Sequence, residues 1–225
     1  MKRKEVAALA ASNYNNSEPW PKRDIWHRYT FSAINQVVEQ WLAKYAHKVM
    51  KVLNAGSGGT EYKNCRHMIH LDIVELPDAS VDGIVCVGSV LNYADAQRTI
   101  QEFSRVLKPG GFLILEFERS NSAEFLLTKK HGAYIFPQNY SYNQQTHVLW
   151  MYSEKHIRDL FCLYHLHIQK CKRVHVMSSL LDRLGFSQET SAPYSRIDQY
   201  VSFLSYPLAH NAIFLGTKKY PSEQR

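Results

Sequence analysis

Lys51-Val52-Leu53-Asn54-Ala55-Gly56-Ser57-Gly58-Gly59-Thr60 is the stretch that decides the fold. Its apolar first half is typical of a buried strand, and it runs directly into a loop with three glycines. Because glycine has no Cβ, such a loop can turn sharply and bring backbone N–H groups close to a ligand. A strand followed at once by a glycine-rich loop is a common opening of α/β folds that bind nucleotide cofactors. The stretch therefore predicts an α/β domain with a ligand loop after its first strand.

Two further pieces follow in order along the chain. His70-Leu71-Asp72-Ile73 places a carboxylate at the end of the expected second strand. Such a carboxylate can accept hydrogen bonds from both hydroxyls of a cofactor ribose. Leu107-Lys108-Pro109-Gly110-Gly111 is predicted to end a helix before the apolar strand 112–117.

Two other cofactor-binding loop motifs do not match the spacing of these glycines. A dinucleotide fingerprint, G-x-G-x-x-G, needs a third glycine at the position of Glu61. A phosphate-binding P-loop needs a Gly-Lys-Ser/Thr ending, which this loop lacks. The spacing therefore disfavours both a dinucleotide-binding and an NTP-binding loop.

In this order the three pieces resemble the class I S-adenosylmethionine-dependent methyltransferases, and within them the broad methyltransferase type 11 group. The resemblance has specific motifs over residues 50–118 and extends weakly to the last strand. It implies a Rossmann-like, doubly wound, mostly parallel sheet with helices on both faces and an antiparallel last strand. It also implies S-adenosyl-L-methionine as the cofactor and S-adenosyl-L-homocysteine as the product.

The resemblance implies site residues as well. The expected cofactor contacts after the first three strands are Asn54, Gly56, Ser57 and Gly58 at the methionine part, Asp72 at the ribose, Ile73 at the adenine, and Val87, Gly88 and Ser89 at the sulfonium. Asn92 and Tyr93 are expected to face the substrate.

The sequence departs from the family pattern in two places. Asn54 stands where the family usually has an acidic residue, which removes a charge near the cofactor's amino group. Leu71-Asp72-Ile73 also runs almost directly into the next apolar strand at residues 83–87. A helix and strand between these pieces need on the order of twenty residues, so we expect the sheet to be one strand and one helix short.

An aromatic cluster precedes the first strand, at Trp26-His27-Arg28-Tyr29-Thr30. Because members of this family often close the cofactor site with that segment, Trp26 and Tyr29 are expected to cover the cofactor, with His27 as the candidate general base. The alternative interpretation is a cluster at the start of a helix that packs on the core. His131 and His147 are the other candidate bases.

Periodicity predicts the remaining organisation. Apolar residues at three- and four-residue steps indicate helices over 30–46 and 94–107, and Ser153 is the expected N-cap of another. We expect one methyltransferase domain over residues 1–225. Residues 1–29 would form an N-terminal lid segment, and the polar, aromatic residues 119–152 a cap-like insertion.

The composition limits the class of protein. The 225 residues carry a formal net charge of +7, but the basic residues are scattered, so nucleic acid is not the expected partner. No stretch reaches the roughly 20 uninterrupted apolar residues of a membrane span. No two of the four cysteines have CxxC spacing. We therefore expect all four to be reduced thiols, and we expect no metal site. We therefore expect a cytoplasmic protein, as a monomer or homodimer.

The absence of two sequence motifs disfavours two classes of methyl acceptor. There is no Asn/Asp-Pro-Pro-Tyr/Phe motif, as used on exocyclic base amines, and no Pro-Cys pair, as used on cytosine carbon 5. A small-molecule acceptor, methylated on oxygen or nitrogen by in-line displacement, is the leading interpretation. The alternatives are an RNA or protein methyltransferase and a non-catalytic protein that binds the cofactor or a partner.

Overall fold

The computed structural model describes residues 25–46, 50–56, 62–63, 65, 68–69, 76–142, 145–198, 200 and 207–220. At residues 26–27, 69, 141–142 and 145–146 it describes the backbone without the side-chain environment.

The described strands form one mixed sheet and one separate hairpin. The strands are β1 (Val52–Asn54), β2 (Met68–Ile69), β3 (Val81–Cys86), β4 (Leu107–Glu118), β5 (Ile135–Tyr142), β6 (Gln145–Tyr152), β7 (Leu166–Val174) and β8 (Asn211–Lys218). The sheet has the order β2-β1-β3-β4-β8-β7, and β5 pairs with β6. Strands β1 to β4 pair in parallel, whereas β8 is antiparallel to both of its neighbours. This confirms the predicted mostly parallel sheet with an antiparallel last strand.

Helices cover both faces of this sheet. They are α1 (Ile25–Tyr45), α2 (Val90–Tyr93), α3 (Ala96–Val106), α4 (Glu154–Leu163), α5 (Met177–Arg183) and α6 (Gln188–Ser191), with 3₁₀ turns at Ala123–Phe125 and Ala192–Arg196. Ser153 is the N-cap of α4, as predicted, because its hydroxyl accepts from the His156 N–H at 3.1 Å. No helix in the described part of the chain is long and apolar enough to cross a membrane.

Two apolar layers hold the helices to the sheet. The stripe of α1 packs on one face with residues of β1, β3, β4 and β8: Ile34, Val38, Leu42, Val52, Val85, Ile114 and Leu215. Helices α3 and α4 pack on the other face: Ile100, Phe103, Ile157, Phe161, Leu53, Ile84, Leu113 and Phe214. Because alternate residues of a strand point to opposite faces, each central strand contributes to both layers. All four cysteines are free thiols, as expected.

Two element boundaries differ from the prediction, and one hairpin was not predicted. Helix α1 begins at Ile25 rather than Thr30, so the aromatic cluster is helical. Strand β4 begins at Leu107, and the Pro109-Gly110-Gly111 turn forms an irregularity in its pairing with β3 instead of preceding the strand. Proline lacks the N–H that a regular ladder needs, which makes such a bulge its usual place in a sheet. Residues 119–152 contain the β5–β6 hairpin.

The sheet ends early on the β2 side. Strand β2 is the edge of the described sheet, and only residues 70–80 separate it from β3. That length cannot hold a helix and a further strand together with their connections. The short region predicted after Asp72 is therefore a property of the sequence length itself.

Candidate functional site

Left-handed backbone marks the ends of β1 and β3, which lie side by side. Gly56 has φ +72°, Gly88 has φ +85° and Ser89 has φ +59°. A Cβ on Gly56 would lie 2.6 Å from Val90 Cγ1, so the loop after β1 packs directly on the first residue of α2. Only glycine fits there, because both the backbone conformation and the space exclude a side chain.

A buried carboxylate holds the loop after β3. Glu116, on the neighbouring strand β4, is fully buried. Its Oε2 accepts hydrogen bonds from the backbone N–H groups of Gly88 at 2.8 Å and Ser89 at 2.7 Å. Its Oε1 accepts from Asn211 Nδ2 at 2.5 Å. Burial raises the pKa of Glu116 to about 7, although these hydrogen bonds favour the ionised form.

A second carboxylate, Glu118, extends this arrangement. Ser89 Oγ donates to Glu118 Oε1 at 2.6 Å, and His210 Nε2 lies 3.3 Å from Glu118 Oε2. Burial disfavours charge on both partners, but the hydrogen bond and the opposite charge outweigh it. The pKa of Glu118 is therefore lowered, and that of His210 is raised to about 9. The two form a buried ion pair at neutral pH.

His210 connects this pair to the β5–β6 hairpin. Its Nδ1 lies 3.1 Å from Ser122 Oγ and 3.6 Å from Glu124 Oε2. The Tyr140 hydroxyl, on β5, donates to Glu124 Oε2 at 2.9 Å. A continuous polar network thus runs from the loop after β3 to the hairpin.

Asn92 and Tyr93 occupy different environments. The Asn92 side chain is fully buried: its Oδ1 accepts from the Glu118 N–H at 2.9 Å, and its Nδ2 donates to the Trp150 carbonyl at 2.8 Å. This placement favours a structural part for Asn92 over the expected substrate contact. The Tyr93 hydroxyl lies 3.4 Å from His147 Nδ1, and burial lowers the pKa of His147.

Asn54 and Val87 are both buried at the ends of their strands. Val87 packs in the apolar layer under α1, so its side chain is part of that layer. The expected contacts Ser57, Gly58, Asp72 and Ile73 lie outside the described residues, and so do the side chains of Trp26 and His27.

The start of α1 reaches this edge of the sheet. His175 is buried, which lowers its pKa to about 3, so its neutral ring can donate from Nε2 to the Thr30 carbonyl at 3.1 Å. Phe31 Cε2 lies 3.6 Å from where a Cβ on Gly88 would stand. Tyr29 lies elsewhere, with the Arg196 guanidinium 4.6 Å from its ring centre. The geometry therefore favours Phe31 over Tyr29 as the aromatic cover of the loop.

The sequence prediction missed Glu116, Glu118, His210 and Phe31. One signal was available, because Ile114-Leu115-Glu116-Phe117-Glu118 places two carboxylates in an otherwise apolar strand. Buried carboxylates need partners, so their presence indicates a polar network at the end of β4. His210 and Phe31 carry no comparable local signal.

The geometry suits a ligand that carries a positive charge. At Gly88, the one described atom within 4 Å of an added Cβ belongs to Phe31, so the backbone is open to a ligand there. Glu116 lies directly behind this backbone. A carboxylate in a low-dielectric site favours a cation in front of it. The backbone at the carboxyl ends of β1 and β3 therefore suits a cationic ligand.

Comparison with known proteins agrees with this geometry. Residues 34–115 match the family model described as a methyltransferase domain. No curated protein matches the sequence.

Several solved structures share the fold. A 1,6-didemethyltoxoflavin-N1-methyltransferase of Burkholderia thailandensis, with bound 1,6-didemethyltoxoflavin and S-adenosylhomocysteine, aligns with a TM-score of 0.56 and 14% identity over 98% of this chain and 92% of its own. An S-adenosylmethionine-dependent methyltransferase structure from Listeria monocytogenes aligns at 0.53 and 9% identity, over 82% and 100%. A complex between the Haloferax volcanii Trm112 methyltransferase activator and a methyltransferase aligns at 0.52 and 14% identity, over 96% and 98%.

Proposed function

We propose, from the premise that this chain is a class I S-adenosylmethionine-dependent methyltransferase, that its methyl acceptor is a small molecule. S-adenosyl-L-methionine is its cofactor, and S-adenosyl-L-homocysteine is the product that the reaction leaves. The proposed reaction is methylation of an oxygen or nitrogen by in-line displacement.

The observation that carries the proposal is the pair of left-handed turns at the carboxyl ends of β1 and β3, between which we place the cofactor crevice. Both loops are left-handed at Gly56 and Gly88, and Glu116 ties the second loop to the sheet. When bound, the cofactor supplies an electrophilic methyl group on a sulfonium. The chain's own part is to hold that group in line with the acceptor, which is mainly a matter of positioning.

The proposed contacts combine the residue predictions with this geometry. The cofactor would be held by Asn54, Gly56, Ser57, Gly58, Asp72, Ile73, Val87, Gly88 and Ser89, and covered by Trp26 and Phe31. Residues 1–29 would act as the lid and residues 119–152 as the cap of a single domain.

Aromatic side chains support a small acceptor. The β5–β6 hairpin lies against α2, and together with the 3₁₀ turn Ala123–Phe125 they share one apolar cluster: Phe125, Phe136, Tyr140, Leu149, Met151 and Tyr93. An apolar wall with a few placed polar groups is typical of small-molecule sites. The Tyr140–Glu124–His210 contacts supply such polar groups beside the wall.

Two histidines are proposed as candidate bases for an acceptor that must lose a proton. His27 comes from the lid segment of the sequence prediction. His147 is the second, since it lies beside the Tyr93 hydroxyl and its lowered pKa keeps its ring neutral. A neutral imidazole can accept a proton during transfer.

Calorimetric titration with S-adenosyl-L-homocysteine tests the crevice. Gly88→Ala should abolish binding, because the added Cβ would occupy the open backbone face that the cofactor is proposed to contact. Gly185→Ala is the matched control: its φ is +86°, and no described atom lies within 4 Å of the added Cβ. The crevice is excluded as the cofactor site if both variants bind like the wild type.

The acceptor is tested separately. Incubation of metabolite extracts with cofactor should reveal a small compound that gains the mass of one methyl. An RNA or protein acceptor is the alternative that the sequence left open, and the formal net charge of +7 can attract the phosphates of RNA. Methyl incorporation into RNA or protein, with steeply salt-dependent RNA binding, would replace the small-molecule proposal.

A further inference from the structure

A second cleft lies between α1, the edge strand β7 and the 3₁₀ turn Ala192–Arg196. Its volume is about 530 Å³, within the range of small-molecule sites. It is lined by the α1 side that carries Arg28, Tyr29 and Gln36, by Lys172 of β7, and by Arg196. The proposed methyl-transfer chemistry uses none of these cationic side chains.

Three cations line this cleft without an acidic partner. Arg28, Lys172 and Arg196 make no ion pair with any acidic side chain in the described ranges. Arg173 also lines the cleft, but its Nη2 is 2.6 Å from Glu154 Oε1 and is engaged there. The charges of Arg28, Lys172 and Arg196 are therefore available to a ligand.

Asp198 is the one acidic side chain described in the lining, and it does not neutralise the three cations. Asp198 accepts through Oδ2 from the Val176 N–H and through Oδ1 from the Met177 N–H, each at 3.0 Å. Both oxygens are thus committed to the backbone at the start of α5. The cleft keeps a net positive lining.

Two details indicate a built anion site. Arg196 stacks on the Tyr29 ring at 4.6 Å, which fixes its plane and leaves its N–H edge free for an oxyanion. Ser195 lines the cleft and is buried, yet its hydroxyl has no hydrogen-bond partner among the described residues. A buried hydroxyl without a partner is costly, and a bound oxyanion would satisfy it.

We propose that this cleft binds the phosphate group of a phosphorylated small molecule. Three cations in the lining of one cleft match the double charge of a phosphate better than the single charge of a carboxylate. The inference goes beyond the proposed function, since it concerns a different cleft and does not depend on methyl transfer.

Calorimetric titration with inorganic phosphate at constant ionic strength tests the cleft. The double variant Lys172→Gln/Arg196→Gln should bind phosphate at least about tenfold more weakly than wild type, since it loses two charge-assisted contacts. The control Arg98→Gln/Lys129→Gln makes the same charge change at exposed residues outside the lining and should bind like wild type. Ser195→Ala should also weaken binding.

Three outcomes would overturn the proposal: no phosphate binding by the wild type, equal binding by the double variant, or acetate binding as tight as phosphate. Thermal unfolding of each variant shows whether it is folded. Titration of the same double variant with S-adenosyl-L-homocysteine reports on the cofactor crevice independently. Retained cofactor binding with lost phosphate binding separates the two sites.

Discussion

The Glu116 carboxylate lies directly behind Ser89, with Oε2 accepting from the Ser89 backbone N–H at 2.7 Å. Ser89 is held in a left-handed conformation, which is unfavourable for a residue with a Cβ. The buried hydrogen bonds from Ser89 and Gly88 offset that strain. Glu116 therefore shapes the loop that is expected to line the reacting centre.

Two substitutions of Glu116 should separate the contribution of its hydrogen bonds to stability from that of its charge. Glu116→Gln keeps an oxygen that can accept from both N–H groups but turns its own amide N–H toward Asn211 Nδ2, so we expect a loss in unfolding free energy of about 1–2 kcal/mol at pH 7. Glu116→Ala leaves two buried N–H groups unpaired and opens a cavity, so a loss of about 2–4 kcal/mol is expected. Urea unfolding measures both, and equal losses would contradict this account of the loop.

Glu116 should also make stability depend on pH. The unfolded chain loses this proton near the ordinary pKa of 4.5, whereas the folded protein keeps it until about pH 7. Its contribution to stability therefore falls as pH rises between these values, by about 3 kcal/mol, and is constant above them. The difference between wild type and Glu116→Gln in urea unfolding from pH 5 to 8 isolates this slope. A flat difference would show that the carboxyl titrates normally.

His210 should make stability depend on pH in a higher range. Its pKa is raised from 6.5 to about 9, so its stabilising contribution is complete below 6.5 and is lost as pH rises through 9. His210→Gln should be less stable than wild type at pH 6, with the gap closing by pH 10. Urea unfolding across that range measures it, and NMR titration of the imidazole gives the pKa directly. A His210 that titrates at or below 6.5 would rule out the ion pair with Glu118.

Cofactor binding should release a proton from Glu116. A sulfonium above the loop favours the ionised carboxylate, and a pKa of about 7 leaves the group partly protonated near neutral pH. The product is an uncharged thioether and should release fewer protons. Calorimetry in two buffers of different ionisation enthalpy measures this release, with Glu116→Gln as the control. Equal release with both ligands would place the positive charge away from Glu116.

The candidate bases can be told apart by variants once the acceptor is known. Loss of the base should lower turnover by about 10²–10⁴-fold and remove one ionisation from the pH profile. His27→Gln and His147→Gln are compared at several pH values with the same acceptor. The variant with the changed pH profile identifies the base. If neither profile changes, no histidine of this pair takes the proton.

Local patterns predicted much of the fold and part of the site. The apolar runs and glycine turns located β1, β3, β4 and β8, and the helical stripe of α1 was correct except for its first five residues. Helix and strand periods are local properties of the chain, so they can be read without knowing the sheet order. The hairpin at residues 135–152 was missed, because its polar and aromatic residues do not alternate regularly.

By itself the sequence determined that a strand ending in Asn54 leads into a glycine turn, and that too few residues follow Asp72 for the family's full sheet. Only the tertiary structure decided what stands behind the loop at Ser89. Glu116 lies 27 residues further along the chain, and it reaches the loop because β3 and β4 pair in parallel with their carboxyl ends at one edge. Hydrogen bonds between strands depend on sheet order and register, which the period of a single strand does not encode.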